Sequence, residues 1–187
     1  MERTVVARWQ EWSGNGIEHL VLHEGPDRIL AEAVISATVE AYHFAVLYRI
    51  ECDAGWRVKT TYARVIGADA AIDLTSDGAG RWRNSTGMAL PDLDGAIDVD
   101  LSITPFTNTL PIRRLDLIEG QQADIRVVYL RFPDLNLTID RQRYTCLKRN
   151  QYRFESLDSE FTCDIDTDAD GLIVTYPGLF RRVLLPD

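Results

Sequence analysis

The sequence predicts an all-β fold, a single curled antiparallel sheet that forms a roll or half-barrel enclosing a cavity. Apolar and polar residues alternate with a period of two over long segments, which is typical of strands with one buried face. Turn residues recur at short intervals, and no long segment has the periodicity of a helix. A sheet of roughly a dozen strands must curl to protect its edges, and a curled sheet often encloses a ligand cavity.

The N-terminal region begins with two predicted strands, Thr4–Trp9 and Ile17–His23. The next segment, Arg28–Cys52, could form a helix or strands, and its composition and its periodicity favour different structures. Its first half is rich in alanine and glutamate, which suits a helix. However, the apolar residues occupy odd positions up to Ala41 and even positions from Tyr42 onward. Such a change of parity indicates a tight turn or a bulge. We predict two strands, and a helix is the alternative for the first of them.

The remaining strands are predicted from the same alternation and from the glycine, proline and asparagine residues between them. These predicted strands are Trp56–Ile66, Ala71–Leu74, Gly80–Arg83, Ile97–Ile103, Ile125–Phe132, Leu135–Leu147, Tyr152–Leu157, Glu160–Asp166 and Leu172–Tyr176, followed by a closing segment, Leu179–Leu185. No linker or change of composition interrupts the series. We therefore expect one domain over residues 1–187.

The stretch Pro91–Leu117 concentrates charged and polar residues without losing its apolar rhythm. The polar side chains that share one face of its strand are those of Asp98, Asp100 and Ser102. Neighbouring carboxylates repel each other unless a donor or cation satisfies them, and Arg113 and Arg114 are the nearest candidate donors. Spacing alone favours a solvated strand face followed by a structural aspartate–arginine pair; a polar ligand site is the alternative.

Composition excludes several classes of partner. The net charge of −9 argues against nucleic acid and against an anionic membrane surface. The three cysteines are widely spaced and form no CxxC motif, which fits a reducing compartment. The N-terminus shows no secretory signal, and no apolar run approaches the ~20 residues of a membrane helix. We therefore expect a cytoplasmic protein with no integral membrane segment. The sequence does not predict an oligomeric state.

No metal or cofactor site is predicted. Residues 166–171 imitate the first half of an EF-hand loop, but Pro177 stands where the loop needs its bidentate glutamate. His19 and His23 share a strand face but lie about 13 Å apart, too far for one zinc ion. No GxSxG motif or dinucleotide fingerprint is present.

Two further function classes stay open. A hydrolase acting on a glycosyl or acyl substrate could use Asp98 and Asp100, which would lie roughly 7 Å apart on one strand face. A structural or protein-interaction module would have a filled core, no cavity and an exposed apolar patch. Aromatic residues that recur beside arginines indicate binding, because aromatic faces cover sugar rings or acyl chains and arginines hold polar groups. The same aromatic residues could equally form the core and rim of a β-roll.

The motif PDLDGAIDVDL–TPFTNTLPIRRL, with GIEHL, YRIECDAGWR and DGAGRW before it and RQRYT, YRFES and DGLIVTYPGLFRR after it, resembles the signature of the family named putative glycolipid-binding proteins. The resemblance extends from about Trp12 to Arg182. It implies a spiral β-roll similar to that of lipoprotein-localisation carriers, and non-catalytic binding of an amphipathic ligand such as a glycolipid. The candidate ligand-binding residues in these motifs are Trp82, Asp94, Asp98, Asp100, Asn108, Arg113, Arg141 and Tyr144.

Overall fold

The computed structural model describes residues 2–183. The end of the predicted closing segment, Leu184 and Leu185, lies outside them. The elements are β1 (Arg3–Glu11), β2 (Ile17–Glu24), β3 (Arg28–Val39), β4 (Tyr42–Asp53), β5 (Val58–Val65), β6 (Ala71–Ser76), β7 (Trp82–Asn84), β8 (Asp98–Leu101), α1 (Thr109–Leu115), β9 (Gln122–Arg131), β10 (Asn136–Lys148), β11 (Gln151–Ser156), β12 (Thr162–Thr167), β13 (Ile173–Tyr176) and β14 (Phe180–Arg182). The fold class is all-β, as predicted.

All fourteen strands belong to one curled sheet, in the order β7-β6-β5-β4-β3-β2-β1-β14-β13-β12-β11-β10-β9-β8. The chain just before edge strand β8 returns to edge strand β7. The Trp82 indole donates to the Ala96 carbonyl at 2.8 Å, and the Gly95 amide donates to the Gly80 carbonyl at 2.9 Å. Gly80 has a φ of +95°, and a Cβ there would lie 3.0 Å from the Gly95 backbone. The two backbones can approach this closely because Gly80 lacks a side chain.

The change of parity near Ala41 is a two-residue turn, as predicted. Strands β3 and β4 pair from Arg28 opposite Asp53 to Val39 opposite Tyr42. Glu40 takes a φ of 55° in the turn between them. The alternate residues of β3 from Ile29 to Ala37 are buried, so burial follows a period of two and not of 3.6. The helical alternative for this segment is therefore wrong.

Strand β8 differs from the prediction in direction and length. It spans only Asp98–Leu101 and pairs with β9 in parallel, whereas the remaining strand pairs of the sheet are antiparallel. A parallel pair needs a crossover connection of a dozen or more residues. Residues 102–121 supply it and contain the helix α1, which the alternation did not predict.

The inner face of the curled sheet is covered by the chain itself. Buried residues from Ala96 to Leu110 join the core residues of strands β1 to β7 in one cluster. Phe106, just before α1, stacks on Tyr48 of β4 with ring centroids 6.5 Å apart. The interior that we predicted as a cavity is therefore filled in this region, because the crossover connection must also bury its apolar side chains.

A buried carboxyl group links this connection to the sheet. Glu18 of β2 is 2% exposed. It accepts hydrogen bonds from the Tyr48 hydroxyl at 2.6 Å and from the Thr104 hydroxyl at 2.7 Å. Burial without a cationic partner raises the pKa of Glu18 to about 7. Glu18 thus ties strands β2 and β4 to the segment that fills the roll.

A smaller second core lies under strands β10 to β13. Its buried residues are Ile112, Tyr144, Phe154, Ile165, Ile173 and Tyr176. Among residues 2–183, no helix has the length and apolar character needed to cross a bilayer.

Candidate functional site

An open cleft of ≈ 350 Å³ lies between the end of β8 and the strands of the second core. This volume falls within the roughly 300–1,000 Å³ of small-molecule sites. Its polar lining includes Asp100, Asn108, Tyr129, Asp140, Ser156 and Asp158. Its apolar lining includes Phe154, Phe161, Tyr176, Leu179 and Phe180. We call it the aspartate–aromatic cleft.

Asp100 forms part of the polar lining of the cleft. One carboxylate oxygen accepts the Thr107 hydroxyl at 3.0 Å, and the other accepts the Gln142 amide nitrogen at 2.7 Å. Burial raises the pKa of Asp100, and these two hydrogen bonds partly offset the effect. Both donors are neutral, so no cation compensates the charge of this carboxylate.

Gln142 joins two carboxylates. Its side-chain nitrogen also donates to Asp140 at 2.9 Å, so Asp100 and Asp140 lie close together on either side of one amide. Burial raises the pKa of Asp140, and the charge of Asp158 adds to that effect. The arrangement gives two adjacent carboxylates whose remaining lone pairs are available to a ligand.

Asp158 is electrostatically different. Its oxygens accept the backbone N–H of Arg141 at 2.9 Å and the Arg141 guanidinium at 2.8 Å. These contacts, the backbone N–H first, lower the pKa of Asp158. The carboxylate therefore has a cationic partner of its own at the edge of the cleft.

Part of the cleft lining is aromatic. Phe154 lies 5.9 Å from Phe161 and 6.3 Å from Tyr176, measured between ring centroids. Phe161 is 41% exposed and Leu179 is 40% exposed. The cleft therefore presents both hydrogen-bond acceptors and a partly exposed apolar surface.

Four of the predicted site residues meet at or beside this cleft. Asp100 and Asn108 line it. Tyr144 is buried and donates its hydroxyl to the Asn108 side-chain oxygen at 2.9 Å. Arg141 lies at the edge, where it holds Asp158.

The other four predicted residues lie elsewhere. Trp82 is 1% exposed and binds the Ala96 carbonyl in the core. Asp94 is exposed and directly follows a short 3₁₀ helix, Pro91–Leu93. Arg113 lies over the Trp56 ring at 4.7 Å and donates to the Asp170 carbonyl at 2.9 Å. These residues were predicted from the family motifs, and a motif does not show which side chains lie next to each other in space.

Asp98, the fourth of them, corrects the prediction of a solvated strand face. It is fully buried and forms an ion pair with Arg114, with Nη2 2.6 Å from Oδ2. The predicted aspartate–arginine pair is present, but on the buried side of β8. Both Asp98 oxygens accept from Arg114, so Asp98 and Asp100 are not arranged as a pair that could flank one substrate bond.

Sequence reasoning did not select Gln142, Asp140 or Glu18. A signal was present for two of them. Glu18 shares the inward face of β2 with Leu20 and Leu22, and Gln142 shares the inward face of β10 with Tyr144. A polar residue at an inward position needs a buried partner, and this requirement points to a network in the interior.

The relationship to known proteins is clear over nearly the whole chain. The model of the family described as "Putative glycolipid-binding" matches residues 6–182. The chain belongs to this family. A crystal structure of a DUF1089 family protein from Pseudomonas aeruginosa is similar, with 35% sequence identity, a TM-score of 0.81 and coverage of 90% of this chain and 92% of that one. No curated protein matches the chain at a significant level. Membership of the glycolipid-binding family therefore comes from sequence and fold together.

Proposed function

We propose that this protein binds an amphipathic ligand, such as a glycolipid, without converting it, and that the polar head group occupies the aspartate–aromatic cleft. The observation that carries the proposal is the mixed lining of the cleft. Its carboxylates can accept hydrogen bonds from hydroxyl groups, while Phe161 and Leu179 leave apolar surface exposed.

The name of the family supports the same class of ligand. The filled interior does not distinguish a ligand-binding protein from a structural module, because either could have a filled core. The cleft distinguishes the two functions, because a structural module has no use for two adjacent carboxylates without a cationic partner. We place the proposed activity in the cytoplasm, where Cys52, Cys146 and Cys163, which form no disulfide, stay reduced.

The test is native mass spectrometry of the protein purified from its host, followed by thermal-shift and affinity measurements with a panel of glycolipids. We expect a stoichiometric lipid or a stabilising member of the panel. Phe161→Ser should weaken binding about tenfold through loss of apolar contact. The control is Ile118→Ser, which alters a side chain that is 67% exposed and lies outside the cleft lining.

A protein that contains no lipid and shows no thermal shift across the panel would contradict the proposal. Equal losses of affinity in Phe161→Ser and Ile118→Ser would contradict the assignment of the ligand to this cleft.

A further inference from the structure

The aspartate–aromatic cleft carries an unusual excess of negative charge. Asp100, Asp140 and Asp158 line it, and among the described residues of its lining there is no lysine, arginine or histidine. Asp158 is compensated from outside the lining by Arg141. Within residues 2–183, Asp100 and Asp140 receive their side-chain hydrogen bonds from neutral groups, Thr107 and Gln142.

The donors inside the protein are already used. The side-chain nitrogen of Gln142 has two N–H groups, and each of them serves one carboxylate. Gln142 is 1% exposed, so its amide is held in place between Asp100 and Asp140. Any further hydrogen bond to these carboxylates must come from the cleft. An anionic group that enters it meets two uncompensated charges of the same sign.

The geometry points to a head group that offers several O–H or N–H donors and carries no negative charge, that is, a neutral or amino sugar and not a phosphate- or sulfate-bearing one. This inference rests on the proposed function and specifies its ligand. The sugar hydroxyls would donate to Asp100 and Asp140, while the apolar part of the ligand would follow Phe161 and Leu179. An amino group would additionally supply the missing positive charge.

The experiment compares lipids with identical dioleoyl chains in neutral detergent micelles, a monohexosyl diacylglycerol and phosphatidylglycerol, at pH 7.5. We expect the hexosyl lipid to bind at least about tenfold more tightly. Asp100→Asn should reduce this ratio to within about threefold, because it removes one of the repelling charges. Asp164→Asn is the control, since Asp164 is a half-exposed carboxylate paired with Arg153 outside the cleft; it should leave the ratio unchanged.

A second measurement uses only the wild-type protein and therefore does not require that a variant folds. As the pH is lowered, Asp100 and Asp140 are protonated before carboxyl groups of ordinary pKa, because burial raises their pKa values. The other titratable groups that face Asp100 are Tyr129, Tyr144 and Tyr176. Their pKa values are also raised, so they stay neutral throughout. The rejection of phosphatidylglycerol by the wild-type protein should therefore weaken at pH 5.

The outcomes distinguish a failure of the charge inference from a failure of the proposed binding function. If phosphatidylglycerol binds as tightly as the hexosyl lipid at pH 7.5, the charge inference is overturned and the binding function stands. If neither lipid binds at saturating concentration, the proposed function fails and the inference fails with it.

Discussion

Arg114 of α1 holds the fully buried carboxylate of Asp98 at the start of β8, with Nε 3.0 Å from Oδ1 and Nη2 2.6 Å from Oδ2. The pair joins the helix of the crossover to the strand that precedes it. A planar guanidinium satisfies both oxygens of a carboxylate at once, so the charge can be buried without an unpaired atom. The crossover connection, residues 102–121, is therefore fixed to the sheet at two points. Thr104 is hydrogen-bonded to Glu18 of β2, and Arg114 is paired with Asp98 of β8.

Arg114→Met should strongly destabilise the protein, because it leaves the Asp98 carboxylate buried without its cation. We expect a loss of about 3 kcal/mol or more in the free energy of unfolding, measured by urea denaturation. The matched control is Arg153→Met, which breaks a half-exposed pair with Asp164 and should cost less than about 1 kcal/mol. Similar losses for both variants would show that the burial of Asp98 has no energetic consequence.

Glu18 should make stability depend on pH. Its pKa is about 7 in the folded protein, above the roughly 4.3 of an unfolded chain. The folded state therefore holds a proton that the unfolded state has lost, and the contribution of Glu18 to stability is full below pH 4 and is lost as the pH rises to about 7. The difference in the free energy of unfolding amounts to about 4 kcal/mol.

The measurement is the free energy of urea unfolding at pH 5 and pH 8, for the wild type and for Glu18→Gln. Glutamine keeps the shape of the side chain but does not titrate. The free energy of unfolding of the variant should therefore fall less between pH 5 and pH 8 than that of the wild type. If the free energy of unfolding changes by the same amount between the two pH values in both proteins, the pH dependence does not come from Glu18.

Gly80→Ala should destabilise the contact between β7 and the chain before β8. Its Cβ would meet the Gly95 backbone at 3.0 Å, and its φ is +95°. Gly87→Ala is the matched control, because Gly87 has a φ of +80° and nothing within 4 Å of its Cβ position. We expect about 1 kcal/mol for Gly87→Ala from the backbone conformation alone. Overpacking should add about 2 kcal/mol for Gly80→Ala. Equal losses in thermal or urea unfolding would argue against a tight approach of the two backbones.

Thiol labelling should distinguish the three cysteines. Cys163 is partly exposed, whereas Cys52 and Cys146 are buried. Burial also raises the pKa of Cys52, which disfavours its reactive thiolate form. A thiol reagent at pH 8 should modify native protein first at Cys163, and Cys52 only on unfolding, as followed by peptide mass mapping. Cys163→Ser should remove the fastest labelling reaction. If Cys52 in the native protein reacts at the same rate as Cys163, Cys52 of β4 is not buried.

The alternation of residues was sufficient to predict most strands, including the turn between Val39 and Tyr42. A period of two is a local property of an extended chain with one buried face, so it can be read without knowing which strands pair. The helix α1 gave no comparable signal. Its seven residues span barely two turns and include Pro111, too short a segment for a 3.6-residue period to appear.

What the sequence determined by itself was the extended conformation of most strands, the buried side of long alternating strands such as β3, and the family to which the chain is similar. What only the tertiary structure decided was the environment of each polar side chain. Asp98 and Asp100 alternate identically along β8, yet one meets Arg114 and the other meets Gln142, 42 residues away. Partners so distant are brought together by the parallel crossover and the curl of the sheet, and spacing along one strand cannot encode them.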